Sequence, residues 1–266
     1  MSLRLLVAHT PAERDAARRV EAEVFLQAFG NTPEVMEHEY GPYDGRSRFV
    51  TVVDDADGSA LGAARLVLPD DAGTVKTLVD MASAPWHLPV AETLGAAGLT
   101  GAQIWDVATL AVDPRFRAGS AGAEVSLALC HGIWRYTRNC GVDGLVTILD
   151  DGVLELVQAM GLAWFPMSGA TSHPYLGSAA STPCVFVQAM AEPHMRATAP
   201  DLMPALDDGV FASVSVDPAD FTPDRGALLP EHDPLPARHL APRRDTTGWR
   251  PPTSRRPGVR TGAQET

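Results

Sequence analysis

The sequence predicts an α/β fold, a mixed central sheet flanked by helices, from three observations. The first is a junction. The apolar run Ile104 to Val112 has the length and content of a strand, and Glu124 to Tyr136 repeats apolar residues at helical spacing through Val125, Leu127, Leu129, Ile133 and Trp134. The second is a hairpin, Phe49 to Asp54 and Ala60 to Leu68, rich in β-branched and aromatic residues and joined by the turn Asp55-Ala56-Asp57-Gly58. The third is the alternation of strand and helix after the junction, which requires a parallel crossing.

The remaining elements follow from local signals. Leu3 to His9 reads as a strand. Thr10-Pro11-Ala12-Glu13 opens a helix with a capping threonine, proline at the first position and an acid in the first turn, and that helix runs to about Ala28. The variable stretch Asp70 to Gly101 holds a short helix, Val75 to Ala84, and the proline-flanked aromatic Pro85-Trp86-His87. Beyond the junction the long helix extends to about Asn139. A buried strand, Gly144 to Leu149, comes next, then a short helix, Val153 to Met160, closed by Gly161. Leu162 to Met167 and Cys184 to Met190 read as further strands. From Pro223 onward proline, arginine and glycine dominate without apolar periodicity, a composition that buries too little surface to offset chain entropy. The expected division is a folded domain over 1–220 and a largely irregular tail over 221–266.

Composition narrows the class. At 266 residues and 45% hydrophobic the chain can bury a sizeable core. Its apolar stretches fall short of the ~20 residues that cross a bilayer, so no membrane span is expected. Met-Ser-Leu-Arg-Leu-Leu-Val-Ala-His is too short an apolar run for a secretory signal, so the expected compartment is the cytoplasm. Cys130, Cys140 and Cys184 form an odd set without metal-ligand spacing and read as reduced thiols. None of the eight histidines pairs at ligand spacing, so no metal is expected. His131 reads as a surface or capping side chain. A net charge of −12 opposes nucleic-acid binding. The tail, with eight arginines against five acids, is the basic part.

Between the strand and the long helix lie Pro114, Arg115 and Arg117, then the small residues Ala118 to Ala123. A helix N-terminus carries unpaired N–H groups and partial positive charge, so a small-residue loop there lets a pyrophosphate approach closely. The loop has the shape and charge of an anion cradle. No Gly-Lys-Ser/Thr occurs, the only lysine being Lys76, and no Gly-x-Gly-x-x-Gly occurs either. A P-loop and a dinucleotide fold are therefore excluded.

The segment Val112-Asp113-Pro114-Arg115-Phe116-Arg117-Ala118-Gly119-Ser120-Ala121-Gly122 resembles the acyl-CoA loop of the GNAT N-acyltransferase superfamily. Arg117 fills its first place, Gly122 its last, and Ser120 replaces its first glycine. Glu39-Tyr40-Gly41-Pro42-Tyr43-Asp44, Gly62-Ala63-Ala64-Arg65-Leu66 and Trp105-Asp106-Val107-Ala108-Thr109-Leu110-Ala111-Val112 narrow this. Together they are similar to the motif series of acyl-homoserine-lactone (autoinducer) synthases and long-chain N-acyl amino acid synthases. The resemblance covers roughly Val20 to Met167. Gly41 stands in place of an acid and Thr109 in place of an arginine, two differences that argue against a homoserine lactone product.

The resemblance implies an N-acyltransferase moving an acyl group from acyl-CoA, or from the phosphopantetheine of an acyl-carrier protein, to a small amine. It implies the GNAT fold, in which the fourth and fifth strands splay, and direct attack without an enzyme nucleophile. Asp106 would be the general base. On a regular strand it shares a face with Ile104, Ala108 and Leu110, an apolar setting that raises a carboxylate's pKa. Asp44 and Arg65 would pair beside the amine pocket with Glu39 near them. Backbone N–H groups of Leu110, Ala111 and Val112 would polarise the thioester carbonyl, while Arg117, Ala118, Gly119, Ser120, Ala121 and Gly122 would cradle the pyrophosphate. Trp105, Trp164 and Phe165 are candidates for an acyl tunnel. Docking of an acidic carrier protein would need a local patch from Arg115, Arg117, Arg135 and Arg138. An ordinary acetyltransferase using acetyl-CoA and a catalytically silent acyl-CoA sensor are the alternatives, and a homodimer is left open.

Overall fold

The computed structural model describes residues 2–116 and 119–223, with the backbone alone over 119–122. In chain order the elements are β1 (Leu3–Val7), α1 (Pro11–Phe29), α2 (Pro33–Tyr40), a 3-10 turn (Gly41–Arg46), β2 (Ser47–Asp54), β3 (Ala60–Val67), α3 (Lys76–Ala82) and α4 (Val90–Ala96). There follow β4 (Ile104–Val112), a 3-10 turn (Pro114–Phe116), α5 (Gly119–Asn139), β5 (Gly144–Asp150), α6 (Asp151–Ala159), β6 (Phe165–Pro166) and β7 (His173–Tyr175). The last elements are β8 (Ser178–Val187), α7 (Gln188–Thr198), α8 (Met203–Leu206), β9 (Val214–Val216) and a 3-10 turn (Pro218–Phe221).

The strands form one mixed sheet in the order β6-β8-β5-β4-β3-β2-β1-β9, with β7 alongside β8. Only β4/β5 and β1/β9 run parallel among the described strands. Strand alternation separates the cores on the two faces of the sheet, and a further cluster gathers Val75, Leu78 and Met81 with Ile104 and Val146. Leu5, Val50, Leu66, Trp105 and Val107 pack under α5 through Val125, Leu129 and Ile133. Leu6, Phe49, Ala63 and Ala111 face α1 through Ala17, Val20 and Val24. The capping box forms as expected: Glu13 N donates to Thr10 Oγ1 at 3.2 Å and Thr10 N to Glu13 Oε2 at 2.9 Å.

Several expectations are corrected. α2 repeats the capping Thr-Pro start of α1 at Thr32-Pro33, with Glu34 in its first turn, a signal the sequence reading passed over. The strand read as Cys184 to Met190 begins at Ser178 and accommodates Pro183, whereas Gln188 onward is helical. Only Phe165–Pro166 of Leu162 to Met167 pairs as strand, because Leu162 and Ala163 turn into the core. His131 is neither surface nor cap. It is fully buried, with Nδ1 2.8 Å from Leu206 O and its ring against Phe211 and Phe221. Phe221 is likewise fully buried, and Asn139 Nδ2 donates to its carbonyl at 2.9 Å. Phe221, which the expected division assigns to the tail, thus packs with the core. The expected tail from 224 onward lies outside the described residues.

Candidate active site

Strand β4 does two things that create a site. It pairs with β5 only through Ile104–Asp106 against Gly144–Val146, after which β4 continues along β3 and β5 continues along β8. The two parallel strands thus part beyond Asp106. Thr147 Oγ1 spans the start of the gap to Val107 O at 2.8 Å.

The second feature is a bulge. Arg65 opposes Thr109 and Leu66 opposes Val107, so Ala108 is the extra residue. An inserted residue reverses the faces of everything after it. Trp105 and Val107 point toward α5, yet so do Leu110 and Val112, while Ala111 lies on the α1 side. Asp106 therefore shares its face with Thr109 and Ala111, not with Leu110 as a regular strand requires. The backbone pattern follows. Asp113 N donates to Leu61 O at 2.9 Å, so in this register Ala111 and Thr109 turn their N–H groups to β3. Leu110 and Val112 turn theirs to the opposite edge, where β5 has departed. Of the trio expected to hold an oxyanion, Ala111 is turned away.

Helix α5 begins at Gly119, so Gly119, Ser120, Ala121 and Gly122 are its first turn rather than a loop. Arg117 and Ala118 lie outside the described residues. The four-arginine patch does not assemble at this helix start. Arg135 and Arg138 lie about 24 and 29 Å along the same helix. Arg138 pairs with Asp207 at 3.3 Å, and Arg115 with Asp113 at 2.5 Å. Trp105, expected along an acyl tunnel, is 1% exposed and packs edge-on against Tyr136. Trp164 packs on Phe186, and Phe165 on His194.

On the α1 face a polar network covers the middle of the sheet. The expected pair is present, Arg65 Nη1 to Asp44 Oδ1 at 2.8 Å, but the dominant partner of Arg65 is Glu21 of α1, held by Nε at 2.9 Å and Nη2 at 2.6 Å. Thr109 Oγ1 donates to the same Glu21 at 2.5 Å. Glu39 belongs to a different group. Lys76 Nζ donates to Glu39 at 2.9 Å, to Asp80 at 2.6 Å and to Tyr175 Oη at 3.0 Å, and Tyr175 donates in turn to Asp80. Tyr40, buried, stands between the halves, with Arg65 5.1 Å and Lys76 5.3 Å from its ring centre. Asp106 is fully buried: Thr77 N donates to Oδ2 at 2.6 Å and Thr77 Oγ1 to Oδ1 at 3.0 Å.

Charges in this network respond to burial and to one another. Burial pushes the Asp106 carboxyl up to about 7, against the pull of the two Thr77 bonds and the Lys76 charge. Burial also opposes the charges of Arg65 and Lys76, but their carboxylate partners outweigh it, so both hold their protons more tightly than usual. The sequence reading missed Glu21, Lys76, Thr77, Asp80 and Tyr175. Two signals pointed to them: Glu21 sits on the apolar stripe of α1 between Val20 and Val24, and Lys76 is the only lysine.

No family model matches the chain, and no curated protein does. Solved structures do. An N-acyl amino acid synthase, FeeM, from uncultured soil microbes superposes with a TM-score of 0.53 at 16% identity, covering 74% of this chain and 94% of that one. A CoA-dependent acyl-homoserine lactone synthase, BjaI, gives 0.53 at 14% identity over 85% of this chain and 97% of its own. Likeness at such identities is a likeness of backbone, and the backbone it establishes is the one expected from the sequence: a GNAT fold, mixed sheet between helices with its fourth and fifth strands parted.

Proposed function

We propose that the protein is an N-acyltransferase that carries an acyl group from a CoA thioester to the nitrogen of a small amine. One observation carries the reading: β4 and β5 part beside the outward N–H groups of Leu110 and Val112, with Asp106 the last paired residue before the gap, its carboxyl on the α1 face, and α5 following β4 in the chain. Phosphates of the donor would sit on the N–H groups of Gly119 to Gly122, with Arg117 beside them. Leu110 and Val112 would hold the oxygen of the thioester carbonyl as it gains charge. The amine nitrogen attacks the carbonyl carbon, its proton passes to Asp106, and the C–S bond breaks as the C–N bond is made. A thiolate leaves. A carboxyl near neutrality suits that role, since it is substantially ionised at working pH and still basic enough to take the proton.

Glu39, Asp44 and Arg65 would shape the acceptor side, and an amino acid or homoserine-lactone-like amine is the acceptor class the sequence motifs imply. CoA is favoured over a carrier protein because Arg115 and Arg138 are already engaged by carboxylates. The test is calorimetry with CoA and a series of acyl-CoAs, followed by thiol release with a panel of amines. Binding and amine-dependent release are expected in the native protein, and loss of both in a folded Gly122→Asp variant, whose carboxylate opposes phosphate at the helix start. Equal affinity in that variant overturns the reading of the cradle.

A further inference from the structure

We propose that Thr77 is the positioning residue of this site, orienting the Asp106 carboxylate so that one lone pair of each oxygen stays fixed for accepting a proton. The inference rests on the N-acyltransferase reading. Its basis is geometric. A carboxylate has about four acceptor positions. Thr77 fills one on Oδ2 through its backbone N–H and one on Oδ1 through its hydroxyl, so a single residue grips both ends and fixes the plane of the group. Both residues are buried, Asp106 at 0% and Thr77 at 4% exposure.

Thr77 is itself held. Its neighbour Lys76 uses all three ammonium hydrogens on groups from three elements, Glu39 of α2, Asp80 of α3 and Tyr175 of β7. Those contacts tie the start of α3 to α2 and β7, and from there Thr77 reaches Asp106 of β4. The charged and titratable groups facing Asp106 are Lys76 and Asp80 from α3, Tyr40 from α2, Tyr43 from the following turn and Tyr175 from β7. Lys76 and the three tyrosines all hold their protons more tightly than usual, so none of those four titrates near neutral pH.

A plain capping interaction, with Asp106 merely satisfying an amide at the start of α3, moves the Asp106 midpoint as well but leaves the pH–rate profile where it is. In Thr77→Val the N–H bond persists and only the hydroxyl bond is lost. If Thr77 positions Asp106, that loss raises the Asp106 midpoint by about one pH unit, the size of one hydrogen bond to the charged form. The acidic limb of the pH–rate profile moves up with it, and Thr77→Ser restores both.

The midpoint is read by NMR of protein labelled with carboxyl-13C aspartate, the Asp106 signal being assigned from its absence in Asp106→Asn. Thr77→Ala serves as a second variant for the same titration. An Asp106 midpoint unchanged in folded Thr77→Val or Thr77→Ala overturns the proposal, as does a pH–rate limb that stays put while the midpoint moves. A native protein that turns over no amine, yet shows the shifted midpoint, would instead sink the N-acyltransferase reading and leave the orienting contact standing.

Discussion

Glu21 and Arg65 meet inside the protein, 2% and 5% exposed, through two parallel bonds of 2.9 and 2.6 Å that tie α1 to the middle of the sheet. Paired guanidinium and carboxylate have exchanged water for each other, and removing one partner strands the other charge. Glu21→Ala is therefore expected to lower stability by about 3–5 kcal/mol. Asp44 alone does not compensate, being one-third exposed and shared with Arg18. Urea unfolding checks this, and a loss below about 1 kcal/mol would show that the pair contributes little.

Asp106→Asn is expected to lose turnover and gain stability. An asparagine can keep both Thr77 contacts if the hydroxyl turns to accept from the amide nitrogen. If Asp106 is the base proposed above, turnover should fall by about 10²–10⁴-fold, the range for a lost general base. The stability change has a definite sign. The folded carboxyl ionises at about 7 against 3.8 ordinarily, so between those values the folded state binds more protons than the unfolded one. Stability of the native protein therefore falls as pH rises from about 4 to 7, and the asparagine variant escapes that fall. Its melting temperature should exceed the native value at pH 8 and approach it near pH 4. Equal melting temperatures across the range would be inconsistent with a buried ionised carboxylate.

His131 provides the opposite pH dependence. Burial lowers its pKa below 6.5, so it folds as the neutral ring, and the stability this confers is present above 6.5 and lost as pH falls below it. His131→Asn should flatten the loss of stability between pH 7 and pH 5. The site is tight as well: Gly209 has φ +69°, and a Cβ there would lie 2.8 Å from His131 Nε2. Gly209→Ala is expected to cost about 1–3 kcal/mol from crowding. A neutral effect in thermal denaturation would contradict the packing described.

Phe221 closes the same cluster. Phe221→Ala should destabilise by about 3–5 kcal/mol, as a fully buried ring does, and ending the chain at Asp220 should do at least as much. A truncation at Asp220 with unchanged melting temperature would place Phe221 outside the core.

Much of this was legible in the sequence because the signals were local. The Thr10–Glu13 box, the Asp55–Gly58 turn and the apolar period of α5 each concern residues within a few positions of one another. The ion pair of Asp44 with Arg65 followed from motif resemblance. What escaped was set by distance or by insertion. Glu21 finds Arg65 across 44 positions and Thr109 across 88, and Lys76 finds Tyr175 across 99, separations that no periodicity encodes. The bulge at Ala108 escaped for another reason. Ala-Thr-Leu-Ala-Val is good strand sequence in either register, so only pairing with β3 reveals which side chains share the face of Asp106.

Lys76 has a further consequence. It is the one lysine in 266 residues, 3% exposed, with each ammonium hydrogen committed. Activated thioesters react with whatever free amine they meet, and an exposed lysine on a protein that handles them is a bystander waiting to be modified. Here the positive charge outside that position is carried by arginine and histidine, and guanidinium stays protonated and unreactive at neutral pH. On the N-acyltransferase reading proposed above, the chain thus offers a thioester donor no exposed lysine to waste an acyl group on. The same scarcity turns Lys76 into a reporter: an amine-directed reagent can reach it only when α3, α2 and β7 come apart, so its labelling rate counts the openings of the site.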